Sequence, residues 1–215
     1  MDLSSYIDHT LLKADASSEQ IQTLCFEAKA NNFKAVCINP VFVKEAAQLL
    51  EGSSVEICTV IGFPLGANLT KVKVFEAQAA VADGATEIDM VAPISKIKAG
   101  DFDYLQAEIA AVVAAVSPKT LKVILETCLL DDEQIVQACL AVQRAGADFV
   151  KTSTGFSTQG ATLHQVQLMA QTIATKMKIK ASGGIRTREQ ALEFIAAGAQ
   201  RIGTSSGLQI VATSN

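Results

Sequence analysis

The segment RAGADFVKTS, residues 144–153, decides the fold of this sequence. It ends a helical pattern at a glycine and then enters a short β-branched and aromatic run, as a strand does after a helix stop. The same order of features recurs in VADGATEIDMV, residues 81–91, and in AAGAQRIGTS, residues 196–205. Helices and strands therefore alternate along the chain.

Short apolar strand candidates alternate with helical stretches from one end of the sequence to the other. Apolar residues recur three and four apart in residues 17–32, 68–84, 131–146 and 187–198. Eight such units predict a parallel sheet closed into a (β/α)8 barrel, the TIM-barrel fold, with a short N-terminal helix. The predicted strands start at Ile7, Lys34, Val55, Thr86, Leu121, Asp148, Lys178 and Gln200.

A doubly wound open sheet is the competing arrangement. It usually has a GxGxxG fingerprint after its first strand, and this sequence has none. About 250 residues is usual for a closed barrel, so 215 residues make a compact one. Since no linker rich in proline, glycine or serine divides the sequence, we expect one domain over residues 1–215.

The composition disfavours several classes of partner. A net charge of -4 and a pI near 5.2 argue against a nucleic-acid surface. No apolar segment approaches the roughly 20 residues of a membrane helix, and the N-terminus lacks the basic start of a signal peptide. Five cysteines without a CxxC pair favour reduced, mostly buried thiols. We therefore expect a cytoplasmic protein.

Two lysines occupy strand positions that should be apolar. Alternation along FVKT places Phe149 and Lys151 on one face, and KIKAS places Lys180 at a matching point of the next strand. Chemistry in a barrel lies at the C-terminal ends of the strands, so both amines should meet there. Desolvation and mutual repulsion would lower the pKa of Lys151, which would make it a Schiff-base nucleophile. Alternatively, each lysine could extend its head into solvent.

Asp89 lies in EIDMV, on the same strand face as Glu87 and Val91. A carboxylate at that depth could shuttle protons through water during imine formation. It could also serve only as the ion-pair partner of Lys180, and the two roles are compatible.

Glycine-rich loops follow the last three predicted strands: STG at 153–155, SGG at 182–184 and GTSSG at 203–207. Glycine lets backbone N–H groups approach an anion, and Ser205 and Ser206 precede the final helix, where free N–H groups favour phosphate. Turns and helix caps also explain each loop by itself. The combination predicts a phosphorylated substrate.

Neither a metal nor a cofactor is expected. His9 and His164 are the two histidines, and they are far apart in sequence. We interpret His9 as a structural hydrogen-bonding residue and His164 as an exposed helix residue. Cys37 is either a small apolar filler or part of the barrel mouth. The loop VIGFPLGAN, residues 60–68, is predicted to enclose substrate.

Six motifs together resemble the deoxyribose-phosphate aldolase family: YIDHTLLKAD, IGFPLGAN, EIDMV, FVKTSTGF, KASGGIRT and IGTSSG. The resemblance extends over nearly the whole chain, and KTSTGF with KASGGIRT is highly specific. It implies a barrel and a metal-independent class I aldolase. Such an enzyme reversibly cleaves 2-deoxy-D-ribose 5-phosphate to D-glyceraldehyde 3-phosphate and acetaldehyde.

The resemblance also implies roles for individual residues. Lys151 would form the Schiff base, while Lys180 would perturb its pKa and join Asp89 in proton transfer. Asp8 matches a position that helps to bind the substrate hydroxyls.

Further candidates for binding lie around these residues. Cys37 and Thr152 are candidates for substrate contact. Phe156 stands where some members of the family have a lysine, so phosphate binding should depend on backbone donors. The positions that match the phosphate-binding loops of the family are Gly155, Gly183, Gly184, Ser205 and Ser206.

Two other functions are compatible with the sequence. The chain could be another phosphosugar barrel, either an aldolase of the transaldolase type or an isomerase. It could also be a non-catalytic barrel in which the lysines only neutralise phosphate. The expected partners are small phosphosugars, aldehydes and further copies of the chain, in a dimer or tetramer.

Overall fold

A computed structural model of the chain describes residues 2–212. Its strands are β1 (Ile7–Leu11), β2 (Ala35–Ile38), β3 (Glu56–Ile61), β4 (Glu87–Val91), β5 (Thr120–Ile124), β6 (Phe149–Lys151), β7 (Lys178–Ser182) and β8 (Arg201–Thr204). Each strand pairs in parallel with the next, and β8 pairs with β1, so the sheet is a closed barrel. The predicted fold is confirmed, and the open sheet is excluded.

Helices connect the strands. They are α1 (Ser18–Ala30), α2 (Val43–Leu49), α3 (Thr70–Ala82), α4 (Ile94–Lys98), α5 (Phe102–Val116), α6 (Asp132–Arg144), α7 (Leu163–Ile173), α8 (Arg188–Ala196) and α9 (Gly207–Val211). The short helix predicted before the first strand is a three-residue 3-10 turn, Ser4–Tyr6. Within residues 2–212, no helix has both the length and the apolar character needed to cross a membrane.

The helix ends follow capping signals in the sequence. Ser17 caps α1 and Asp131 caps α6, each in a capping box with a glutamine. Gly84, Gly146 and Gly198 lie just beyond α3, α6 and α8 with φ angles of 113°, 85° and 119°. Glycine adopts this conformation without a Cβ penalty, so the chain can turn from each helix into the next strand.

The barrel interior is the unusual part of this core. Alternate residues of a strand point to opposite faces. On β4, Ile88 and Met90 belong to the main apolar core, while the buried carboxylates of Glu87 and Asp89 fall on the opposite, interior face. An interior of charged side chains therefore lies inside an apolar outer layer, and this arrangement positions the candidate site.

Candidate active site

The three residues predicted to act together do meet inside the barrel. Lys151 on β6 is the register partner of Lys180 on β7. The Lys151 Nζ donates to Asp89 Oδ2 at 2.6 Å, and the Lys180 Nζ donates to the same oxygen at 2.7 Å. All three side chains are buried. Neither lysine extends its head into solvent, and one carboxylate oxygen joins the two amines.

Four further charged residues lie beneath this group, and we call them the lower tier: Asp8, Glu87, Lys122 and Arg201. The Lys122 Nζ lies 2.6 Å from Glu87 Oε2 and 2.9 Å from Asp89 Oδ1. Lys122 and Arg201 are not among the site residues predicted from the sequence. The available signal is the same as for Lys151, a charged residue within a short apolar strand, in LKVI and RIG.

Opposite charges fix the ionisation of Asp89 and Lys180. Burial opposes the ionisation of Asp89, but attraction to nearby ammonium groups, Lys122 first among them and Lys180 as well, outweighs burial and holds the pKa of Asp89 well below its usual range. Burial also disfavours the Lys180 ammonium, yet Asp8 and Asp89 raise its pKa well above its usual range. At neutral pH, Asp89 is thus an anion and Lys180 a cation, whereas an uncharged Lys151 stays a prediction.

A cavity of about 330 Å³ opens above Lys151 at the C-terminal end of the barrel. Its lining includes four of the five predicted phosphate-binding positions, Gly155, Gly183, Gly184 and Ser205. Two exposed cations, Lys13 and Arg186, also line the cavity. They lie within the motifs YIDHTLLKAD and KASGGIRT, but neither was predicted as a site residue.

Two predicted binding residues lie away from the cavity wall. The backbone N–H of Ser206 donates to Thr204 Oγ1 at 2.9 Å, so this donor is already occupied. Thr152 is fully buried; its hydroxyl donates to the Ser182 carbonyl at 3.2 Å and accepts from the Ser182 N–H at 3.1 Å. Its position favours a structural link between β6 and β7 over the substrate contact that we expected.

Asp8 and Cys37 are also fully buried. The Asp8 carboxylate pairs with Arg201, and its Oδ2 lies 2.5 Å from the Lys180 Nζ, so its position favours a role within the charged interior over contact with substrate hydroxyls. Cys37 belongs to a small apolar cluster on which Phe63 packs, as a filler does. A hydrogen bond with Cys58 lowers the pKa of the Cys37 thiol to about 7, although burial opposes this shift.

Metal-ligating groups approach one another at this site. Cys37, Cys58 and Asp89 have ligand atoms within 4.8 Å of one another, and so do Asp8, Cys58 and Glu87. Their carboxylates already pair with buried ammonium or guanidinium groups. An added cation would therefore meet like charges at short range.

The loop after β3, residues 60–68, contributes none of the described residues that line the cavity, but it contacts one of them, Phe156, and its enclosure of substrate stays a prediction. Phe63 lies edge-on to Phe156, with ring centroids 5.2 Å apart. A Cβ on Gly66 would lie 2.0 Å from the Ala92 carbonyl oxygen, so this close approach requires glycine. The two histidines are where we expected them, with a buried His9 bonded to Glu27 and an exposed His164 paired with Asp132.

Acid should destabilise the protein through the charged interior. Burial opposes the ionisation of Asp8, but Arg201 and Lys180 outweigh it and lower its pKa from 3.8 to about 2. As the pH falls, the unfolded chain takes up this proton first, so the stability present above the ordinary pKa is lost towards pH 2. We expect Asp8 to contribute about 2 kcal/mol of the free energy of unfolding at pH 6.

Urea denaturation at several pH values checks this expectation. The free energy of unfolding should decrease between pH 5 and pH 2.5, and Asp8→Asn should flatten part of that slope. An Asp8→Asn variant with the same slope as the parent would contradict it.

Comparisons with known proteins agree on the family. A sequence model of a protein family, described as DeoC/LacD family aldolase, matches residues 3–213. Deoxyribose-phosphate aldolase 1 of Vibrio vulnificus is 57% identical over 209 residues, 97% of this chain and 95% of that protein. Deoxyribose-phosphate aldolase of Streptococcus gordonii is 56% identical over 211 residues, 98% of this chain and 96% of that protein. The tetrameric structure of deoxyribose phosphate aldolase from Aeropyrum pernix has a TM-score of 0.91 at 38% identity, covering 97% of this chain and 89% of that chain.

Proposed function

The chain belongs to the DeoC/LacD family of aldolases, and from this premise we propose that it reversibly cleaves 2-deoxy-D-ribose 5-phosphate to D-glyceraldehyde 3-phosphate and acetaldehyde. It is a lyase that acts through a Schiff base on Lys151 and uses neither metal nor cofactor. The observation that supports this chemistry best is the contact of Lys151 and Lys180 with one oxygen of Asp89 beneath the cavity.

The reaction begins with attack of the Lys151 amine on the C1 aldehyde of the open-chain sugar. Loss of water leaves a protonated imine, which is an electron sink. A proton leaves the C3 hydroxyl, the C2–C3 bond breaks, and its electron pair forms an enamine on Lys151 while D-glyceraldehyde 3-phosphate departs. Protonation of C2 and hydrolysis then release acetaldehyde. Asp89 and Lys180 are the acid–base pair nearest to the Lys151 nitrogen, so we assign these proton transfers to them.

Trapping of the imine tests this function. Borohydride added with acetaldehyde should leave an ethyl group on Lys151, and mass spectrometry of the digest should locate it there. An unmodified Lys151 peptide from an active preparation would defeat the assignment. Phosphate binding without any trapping would favour the non-catalytic barrel, and turnover of other phosphosugars instead of deoxyribose 5-phosphate would favour a transaldolase-type aldolase or an isomerase.

We place the substrate phosphate against Gly155, Gly183, Gly184 and Ser205. These residues line the cavity, and glycine lets backbone N–H donors approach an anion there. Arg186 lines the same cavity and offers a cation, although Phe156 occupies the position where some relatives have a lysine.

Gly183→Ala should weaken binding of the phosphate. Gly183 has a φ of 88°, and a Cβ there would lie 2.8 Å from the Gly160 Cα, so the loop must move. We expect the KM for deoxyribose 5-phosphate to rise about tenfold or more, since a lost phosphate contact is worth about 1.4 kcal/mol or more. Gly100→Ala is the matched control, because Gly100 has a φ of 73° with open space around its Cβ.

Steady-state kinetics with deoxyribose and with its 5-phosphate distinguish a loss of phosphate binding from a general loss of activity. The Gly183→Ala variant should lose its preference for the phosphorylated sugar, and the Gly100→Ala variant should keep it. An equal loss for both sugars would argue against the phosphate assignment.

We also propose that the protein acts in the cytoplasm as a homo-oligomer. The five cysteines are free thiols, as a reducing compartment maintains them. The Aeropyrum pernix relative is tetrameric, and on α3 the side chains of Val72 and Phe75 are 43% and 72% exposed. Light scattering on the purified chain should give the mass of a dimer or tetramer, and a monomer mass at micromolar concentration would contradict this.

A further inference from the structure

Arg201 joins two carboxylates of the lower tier. Its Nη1 and Nη2 donate to Glu87 Oε1 and Oε2 at 2.9 and 2.7 Å, a bidentate ion pair. Its Nε donates to Asp8 Oδ1 at 2.6 Å. Both carboxylates and the guanidinium are buried, so one cation neutralises part of the charge of two anions, although Glu87 and Arg201 also line a cavity at the N-terminal end of the barrel.

Two chains of ion pairs connect Arg201 to Lys151. In one, Asp8 contacts the Lys180 Nζ at 2.5 Å, and Lys180 contacts Asp89 at 2.7 Å. In the other, Glu87 contacts the Lys122 Nζ at 2.6 Å, and Lys122 contacts Asp89 at 2.9 Å. Both series of ion pairs end at Asp89, the carboxylate that accepts from Lys151. A change of charge at Arg201 therefore changes the electrostatic potential at the Lys151 amine through buried groups.

The charges of this interior are unequal in number. Three carboxylates, from Asp8, Glu87 and Asp89, face four bases. Lys180 and Arg201 each pair with two of the carboxylates and Lys122 pairs with all three, whereas Lys151 contacts Asp89, which it shares with Lys122 and Lys180. Three cations already balance three anions, so a fourth positive charge has no anion left to balance it.

Other titratable groups near Lys151 come from every neighbouring part of the barrel. The Glu126 carboxylate, after β5, accepts from the Thr154 N–H at 3.1 Å and from its hydroxyl. Lys13 and Arg186 line the cavity above. Around the Lys151 amine, Asp89 is the ion-pair partner, Lys122 and Lys180 share that carboxylate, and the Cys37 thiol interacts electrostatically with the amine. Among residues 2–212 the Glu126 carboxylate forms no ion pair, so it lies outside the network of the lower tier and Asp89.

We propose that Arg201 is a positioning residue whose guanidinium leaves the buried network one carboxylate short, so that the Lys151 amine remains uncharged and able to attack a carbonyl. This inference rests on the proposed Schiff-base function. It assigns to a residue remote from the substrate a part of the role that the resemblance gives to Lys180 alone. Attraction of Asp8 and Glu87 keeps the guanidinium itself charged despite its burial, since it raises the pKa of Arg201.

Charge changes of opposite sign test the proposal. Arg201→Met removes a cation, so Lys151 should hold its proton to higher pH, and the acid limb of kcat/KM should move up by about one pH unit or more. Glu87→Gln removes an anion and should move the same limb down. Arg201→Lys keeps the charge and should leave the limb within about 0.3 units of the parent. A Cys37→Ala background keeps the neighbouring thiol from titrating in the comparison.

If Arg201 only stabilises the fold, the pH dependence of kcat/KM should not shift. In that case Arg201→Met and Glu87→Gln both lower activity at every pH and leave the limb in place, which would overturn the proposal. If Arg201→Met does not fold, as judged by circular dichroism, Glu87→Gln decides the outcome, and an unmoved or raised limb counts against the proposal. Failure of borohydride trapping on Lys151 in the parent would instead refute the Schiff-base function itself.

Discussion

Replacement of Lys151 by leucine is expected to lower kcat/KM for deoxyribose 5-phosphate by about three orders of magnitude or more. The amine supplies the covalent bond of the Schiff base, and no neighbouring group can substitute for it, because Lys180 and Lys122 are fully buried and ion-paired. Asp89 keeps both of these partners in the variant, so the barrel should still fold.

Two variants make this result specific. Lys151→Arg places a permanent positive charge next to Asp89 but offers no imine-forming amine, and it should be as inactive as Lys151→Leu. Lys178→Leu changes an exposed lysine at the start of β7 and should retain parental activity. A cleavage assay with coupled detection of D-glyceraldehyde 3-phosphate measures all three. Activity of Lys151→Leu within tenfold of the parent would contradict the assignment.

The second large effect is expected at Lys180. Lys180→Leu should lower activity at pH 7 by about a hundredfold or more, because it removes both a proton-transfer group and a cation that opposes protonation of Lys151. The buried carboxylates keep other partners, since Asp8 still pairs with Arg201 and Asp89 with Lys122.

The pH profile separates the two contributions at Lys180. An electrostatic part should be recovered at higher pH, where Lys151 loses its proton without help, while a proton-transfer part should not. Lys178→Leu again serves as the control on the same strand. Near-parental activity of Lys180→Leu at pH 7 would refute both roles.

The sequence predicts the fold because its signals are local. Every predicted strand start lies within one residue of the observed one, since each helix stop and each apolar run depends on adjacent residues. The meeting of Lys151, Lys180 and Asp89 follows from the same patterns, because alternation gives the face and barrel closure gives the shared mouth.

Contacts between distant strands could not be predicted in this way. Asp8 and Arg201 are 193 positions apart, and their pairing depends on the register with which β8 closes on β1. The backbone N–H of Ser206 was predicted to be a free donor for phosphate, but it donates to Thr204 Oγ1. The sequence of a loop does not reveal a local hydrogen bond of this kind. Thr152 lies on the strand face opposite to Lys151, and alternation alone argues against its contact with substrate.

The protonation state of Lys151 in the resting enzyme is the most direct test of this account. Titration by NMR of protein labelled with ¹⁵N-lysine, with the signal assigned by its loss in Lys151→Arg, reports that state at the Nζ itself. We predict a neutral amine at pH 7.5. A signal that stays that of an ammonium group well above pH 9, in enzyme that turns over normally, would contradict it.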